Sequence, residues 1–206
     1  MRSAAWLAGL MLVATSTTAL GATPSYDYVQ IDYVGVNRDD PTYDNQGVDV
    51  QVSALLAPYL IFDASYQFLE SDHFRVGVLE GRIEQQTVTA GLETRFALVR
   101  NQLDAFVGAD FVYQSFRYRQ GFKGVAGFDD DSSNGFQVKG GVRANLDYFE
   151  AIPTVRYVRI FDENDVGFGL QLLGCPGYGI CLTGGYEYLK DAKDQRYFGG
   201  VRVNYD

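Results

Sequence analysis

From Tyr26 to the end of the chain, run after run of residues alternates apolar and polar with period two. The cleanest run is Gly47 to Ala54. Val48, Val50, Val52 and Ala54 fall on one face, and Gly47, Asp49, Gln51 and Ser53 on the other. Successive side chains of a strand point to opposite faces, so such a run is a strand with one apolar and one polar surface. Ten segments are predicted, at 26–36, 47–55, 59–69, 83–96, 103–117, 134–146, 150–161, 165–173, 181–190 and 195–205. Their apolar faces pass through Ile31, Val50, Phe62, Leu92, Val107, Val138, Val155, Leu170, Leu182 and Val201, and no charge interrupts the set. A soluble sandwich packs such a face on a second sheet. A transmembrane barrel turns it to lipid, where each charge costs about 2–4 kcal/mol at the midplane.

The connections have a period of their own. After odd-numbered segments they are polar and often long (37–46, 70–82, 118–133), and after even-numbered ones they are generally short (56–58, 97–102, 147–149). Long outer loops alternating with short periplasmic turns are the layout of outer-membrane barrels, and an even count returns both termini to the periplasmic side. Tyr26, Tyr59, Phe96 and Tyr205 gather near one set of segment ends, and Tyr66, Tyr113, Tyr186 and Tyr197 near the other, as aromatic rings do at bilayer interfaces.

The N-terminus agrees with export. Arg2 precedes an apolar run from Ala4 to Ala14, then polar Thr15 to Thr18 and the small-residue site Ala19-Leu20-Gly21. This is a secretory signal peptide, cleaved after Gly21 or alternatively Ala22, and too short for an anchor of about 20 apolar residues. The expected organisation is therefore a signal peptide over 1–21 and one barrel domain over 22–206. Loss of Arg2 leaves the mature chain more acidic than the −9 of the full sequence, which argues against a nucleic-acid partner. No later stretch spans a bilayer as a helix, and a closed barrel is the other structure that satisfies its backbone in lipid. The expected fold class is all-β: an antiparallel up-and-down transmembrane barrel of ten strands, with eight as the alternative count. A soluble periplasmic sheet protein is the competing reading.

In this pattern the chain resembles the small outer-membrane β-barrel proteins, the OmpA/OmpX-like superfamily, and most nearly its ten-stranded members. The resemblance rests on Tyr26-Asp27-Tyr28-Val29, on Gly47-Val48-Asp49-Val50, and on the final Tyr197-Phe198-Gly199-Gly200-Val201-Arg202-Val203-Asn204-Tyr205. That last stretch is similar to the C-terminal signal read by barrel-assembly machinery, with Gly200, Val203 and Tyr205 at its Gly, apolar and aromatic positions. It departs in ending on Asp206 and in carrying Phe198 where a polar residue is usual. The resemblance implies a Gram-negative outer membrane, with lipid, lipopolysaccharide and assembly machinery as partners. It implies no activity.

Candidate sites are few. His73, the only histidine, lies near Glu70, Ser71 and Asp72, but neighbours in a loop seldom hold the reach that base catalysis needs. It reads as a solvated loop residue, and the chain is not expected to be an enzyme or to hold a cofactor. Asp129-Asp130-Asp131-Ser132-Ser133-Asn134 offers oxygen ligands but lacks the Gly and Glu of a calcium loop, so it reads as a solvated acidic loop. Cys175 and Cys181, the only cysteines, are expected to form a structural disulfide in an oxidising compartment.

The inward faces carry a mixed charge network of Asp32, Asp49, Asp63, Glu93, Asp104, Asp110, Lys139, Arg143, Arg156, Glu187 and Arg202, with Arg95 and Glu150 beside it. Mutual pairing makes it a packed electrostatic core, and the alternative is an ion-lined pore. Near the periplasmic end the inward residues Tyr28, Ile61, Phe106 and Ile152 should form a dry apolar layer that plugs the lumen, unless strand stagger separates them. These features point to a structural or surface-interaction barrel whose outer-loop ligand is unidentified. The alternatives are a narrow channel for small solutes and, more remotely, a lipid- or peptide-hydrolysing barrel.

Overall fold

Each alternating run becomes a strand of one closed sheet. A computed structural model describes residues 25–38, 44–71, 74–76, 79–122, 125–176 and 179–205, with backbone alone at 74–76, 79–80, 119–122 and 125–129. The 1–21 segment and His73 lie outside the described residues. The strands are β1 (Tyr28–Asn37), β2 (Asn45–Ala57), β3 (Leu60–Ser71), β4 (Phe74–Val76), β5 (Leu79–Val99), β6 (Leu103–Phe122), β7 (Val125–Leu146), β8 (Phe149–Ile160), β9 (Glu163–Gly174), β10 (Ile180–Leu189) and β11 (Gln195–Asn204). All pairings are antiparallel, and apart from β3 and β4 each strand pairs with its chain neighbours. β1 meets β11 and β3 meets β5, so ten strands close into a barrel while the short β4 folds back on the start of β5.

The ten predicted segments are the ten barrel strands. The sequence reading erred at the distal rim, opposite the termini. Much of 70–82 and 118–133, expected as loops, is strand, because β5, β6 and β7 run on well past their neighbours. Strand there needs only backbone pairing, and a sheet outside the barrel wall has no apolar face to advertise itself by alternation. The terminal-side turns are short, at 58–59, 100–102 and 147–148, and five residues separate β9 from β10. Distally, β8 joins β9 through Phe161 and Asp162 at φ 53° and 59°, the paired positive angles of a type I′ hairpin. The β7–β8 ladder lapses between Gly141↔Thr154 and Ala144↔Ala151, beside Pro153, which has no N–H to give.

The side chains are arranged inside out. Ile31, Leu92, Val107, Phe168 and Val201 stand on the outer surface, 42–54% exposed. Asp32, Asp63, Asp110, Arg143 and Arg202 are buried within. Leu146, Tyr148, Phe149, Tyr59 and Phe96 ring the terminal rim, and Tyr33, Tyr66, Tyr113 and Tyr197 the distal side of the apolar belt. The Tyr33 hydroxyl donates to Gln46 Oε1 at 2.6 Å, and Tyr197 to Asn37 Oδ1 at 3.4 Å. Gly200 follows the same logic in the closing strand: a Cβ there would meet Ile31 O at 1.9 Å, so only glycine fits the β1–β11 seam. Val203 and Tyr205 face outward, and the Tyr205 hydroxyl donates to Ser53 O at 3.0 Å.

Cys175 and Cys181 form the predicted disulfide, closing the turn between β9 and β10. So small a loop constrains the unfolded chain little. The double variant Cys175→Ala/Cys181→Ala is therefore expected to assemble, losing no more than about 2 kcal/mol. Mass spectrometry of unreduced, alkylated wild-type protein from the native envelope is expected to show no alkylated cysteine, and two alkylated thiols would refute the bridge.

Candidate functional site: the charged lumen and its seal

Strand stagger sets the height of every inward residue. Following the register round the ring from Tyr28 returns to the β1 line about twelve residues further on, a stagger that tilts the strands by about 40°. On that geometry Tyr28, Ile61, Phe106 and Ile152 share one level near the terminal rim. They do not form the uniform dry layer expected. Phe106 and Ile152 pack with Leu173, Cys181 and Cys175 on the β6–β10 side, while Tyr28 and Ile61 are buried outside that cluster. The rest of the level is taken by guanidinium groups, because Arg143 and Arg202 arrive at the same height.

Arg202 lies over the Tyr28 ring, 3.8 Å from its centroid, and its Nε donates to Gln30 Oε1 at 2.8 Å. Tyr26, which precedes β1, enters the mouth between two guanidiniums, with Arg143 at 4.3 Å and Arg95 at 4.5 Å from the ring centroid. Its hydroxyl donates to Asp104, and burial pushes that hydroxyl up to about 12 against the pull of Arg143, so it stays a donor. Arg143 also pairs with Glu150 at 2.8 Å and donates to Ser25 O at 3.1 Å. Cation–π contacts shielded from water are worth about 2 kcal/mol each. The seal is thus half apolar and half guanidinium on tyrosine. Glycine makes room for it, since a Cβ on Gly141 would come within 2.8 Å of the Phe106 ring.

Above the seal, ion pairs run round the wall. Lys139 Nζ sits 2.7 Å from Asp63, 2.7 Å from Glu93 and 3.3 Å from Asp110. Asp110 accepts from Gln137 at 2.8 Å, and Gln137 accepts from Arg156 at 3.3 Å. Arg156 pairs with Glu187 at 2.5 Å, Glu187 with Arg196 at 3.8 Å, and Arg196 with Asp49. Gln67, on the same face of β3 as Asp63, donates to Asp49 at 3.4 Å. The predicted network is therefore two systems. Asp104, Arg143 and Arg202 belong with the seal; Asp49, Asp63, Glu93, Asp110, Lys139, Arg156 and Glu187 belong with the ring. Asp32 is inward too, but outside these pairs. Sequence reasoning missed Arg196, which counting back by twos from Arg202 would have found, and it set Tyr26 among the interface aromatics, whereas the ring is buried in the mouth, on the inward side that counting back by twos from Tyr28 gives.

The ring surrounds a cavity of about 1070 Å³ that reaches from Gln30 and Gln171 up to the distal turns at Asp162 and Asp191. A second cavity, of about 250 Å³, lies at the terminal rim beside Arg95 and Asp104. The two share no lining residue, and the seal lies between them. The Asp129 to Asn134 stretch is strand β7, paired to β6, with Arg117 Nε 3.0 Å from Asp130 Oδ1. Strand alternation sends Asp130 and Asp131 to opposite faces. Among the described residues no group of three His, Cys, Asp or Glu is placed to hold a metal.

The sequence matches no protein-family model, and no curated protein matches it. Among solved structures the chain is similar in overall form to Ail, the attachment invasion locus protein of Yersinia pestis, in complex with the heparin analogue sucrose octasulfate. The identity is 13%, over 86% of this chain and 95% of that one, with TM-score 0.46. It is likewise similar to OprG of Pseudomonas aeruginosa, 13% identical over 90% and 98% of the two chains with TM-score 0.47. Neisserial surface protein A is 17% identical over 88% and 98%, with TM-score 0.42.

A sealed lumen should conduct poorly. Phe106→Ala with Ile152→Ala is expected to open a leak while leaving Tyr26 and its arginines in place, raising single-channel conductance in planar bilayers about tenfold or more, as burial of each side chain contributes about 1.5–3 kcal/mol to closure. Steady wild-type conductance that the double substitution leaves unchanged would refute the seal.

Proposed function

We propose that this protein is a non-enzymatic outer-membrane barrel, closed toward the periplasm, whose distal sheet engages a partner at the cell surface. Membrane residence is supported by the inverted packing, with large apolar side chains outside and paired charges inside, the reverse of a soluble sandwich. The short terminal-side turns support a periplasmic placement of that rim.

The observation that carries the interaction reading is the bare edge of β7. Its pairing with β8 begins at Phe136↔Arg159, whereas its pairing with β6 continues to Phe122↔Val125. Residues 125–134 thus have a neighbouring strand on one side only among the described residues, leaving roughly 33 Å of strand edge beyond the barrel wall. The opposite flank of this extension is covered, as β4 pairs with β5 at Phe74↔Gly81. A strand edge with unpaired N–H and C=O groups is a template for an added strand, and Asp130 and Asp131 protect it from indiscriminate pairing. A channel role is the second reading, favoured by the large distal cavity, and it requires the seal to open.

Two measurements test the proposal. Val50→Lys, on the outer face, is expected to abolish outer-membrane assembly and heat-modifiable gel migration, at about 2–4 kcal/mol. Gln51→Lys, facing the acidic cavity, is expected to assemble, and equal behaviour of the two would overturn the inside-out assignment. Deleting residues 117–130 is expected to leave the barrel assembled while cell-surface adhesion is lost. Unchanged adhesion would remove the sheet from the function.

A further inference from the structure

The rings and guanidiniums of the seal stand on strands of the closed ladder, with one exception. Tyr26 precedes β1, and its ring, only 4% exposed, reaches away from the strands beside it. Arg95, Asp104 and Arg143 hold it, and they belong to β5, β6 and β7, across the barrel from β1. The side chain therefore crosses the lumen at the seal instead of lining its wall. Phe106, Ile152 and Leu173 pack together on one side of that level, and Arg202 lies on Tyr28 on another.

What holds Tyr26 differs in kind from what holds the rest. A residue on a closed strand leaves the lumen only by breaking backbone bonds to two neighbours, whereas a segment outside the ladder opens locally at far lower cost. Ser25 and Tyr26 lie outside the pairing of β1 with β2 and β11. Asp27 is the anchor behind them: its carbonyl accepts from Tyr205 N–H at 2.9 Å and its Oδ1 from Leu55 N–H at 2.8 Å. Residues at the end of an element are where a hinge absorbs its rotation. The ring has room on the terminal side, where Arg95 and Asp104 also line the cavity of about 250 Å³. On the distal side Gln30, the next inward residue above Tyr28, already lines the cavity of about 1070 Å³. One layer of side chains separates the two cavities, and Tyr26 is the ring in it that no strand carries.

We propose that Tyr26 is a gate. Swinging about Asp27, the ring leaves Arg95 and Arg143 and opens a path for small ions between the terminal cavity and the distal one, and its return closes that path. Phe106, Ile152 and the stack of Arg202 on Tyr28 stay on their strands and set the width of the opening. The proposal rests on the channel reading of the lumen and is separate from what the β7 edge binds.

Single-channel recording on the full barrel in planar bilayers tests it, with heat-modifiable migration reporting that each variant is folded. The wild type is expected to rest closed, with brief openings to one conductance level. Tyr26→Ala is expected to dwell at that level. Tyr26→Phe keeps the ring but loses the hydrogen bond to Asp104, and it is expected to open about tenfold more often to the same level. Should Tyr26→Ala not fold, the Phe variant carries the comparison, and openings no more frequent than in the wild type would sink the gate. A wild type that never opens beside a conducting Tyr26→Ala would make Tyr26 a fixed plug and overturn the proposal. A silent Tyr26→Ala beside a conducting Phe106→Ala/Ile152→Ala would overturn the gate and leave the channel reading standing. Silence of every variant would overturn both.

Discussion

The meeting of β1 with β11 is the contact on which everything else depends. An open sheet would leave two rows of N–H and C=O groups unpaired, and a wall facing lipid has no water to satisfy them. Closure fixes register as well, with Tyr28 opposite Asn204 and Asn37 opposite Gln195. Fixed register decides which side of each strand points inward, and a slip by one residue would send Asp32 and Arg202 to the outer surface. The bare backbone of Gly200 against Ile31 O is the local condition for this seam.

Once the ring is closed, polar residues are crowded into a narrow interior, and charge pairing becomes obligatory. Removing a charge from water costs several kcal/mol, so each buried group needs a partner within reach. Lys139 is shared by three carboxylates from three strands, and Arg196 links Glu187 on β10 to Asp49 on β2. These bonds cross the lumen or run round it, so they fix the barrel's cross-section where the outer surface offers only lipid-facing contacts.

Strand number, inward and outward faces and the disulfide were legible because each follows from period two or from compartment alone. Val48, Val50 and Val52 announce their face without reference to any other strand. Three features were not legible, for physical reasons. The extension of β5 to β7 lies beyond the barrel wall, where alternation is not required, so 118–133 looked like loop. The seal depends on stagger, which is a sum over ten registers; the sequence puts Tyr28 and Phe106 at one height but does not say that Arg143 and Arg202 arrive there too. Tyr26 was read as an interface aromatic at the start of the first segment; the strand begins only at Tyr28, and the place of the Tyr26 ring between Arg95 and Arg143 is a tertiary fact.

The seal and the cavity are electrically unlike, and this gives the lumen a direction. Three guanidiniums, of Arg95, Arg143 and Arg202, meet two carboxylates, Asp104 and Glu150, at the terminal mouth. Above them six carboxylates, Asp32, Asp49, Asp63, Glu93, Asp110 and Glu187, face three cations, Lys139, Arg156 and Arg196. A cation entering distally falls into a net negative well, then meets a net positive barrier that is also packed with rings. An anion is turned back at the rim by Asp162, Glu163 and Asp191. In the closed barrel the field therefore favours retention of cations over their passage, because low-dielectric walls keep such charges from being screened.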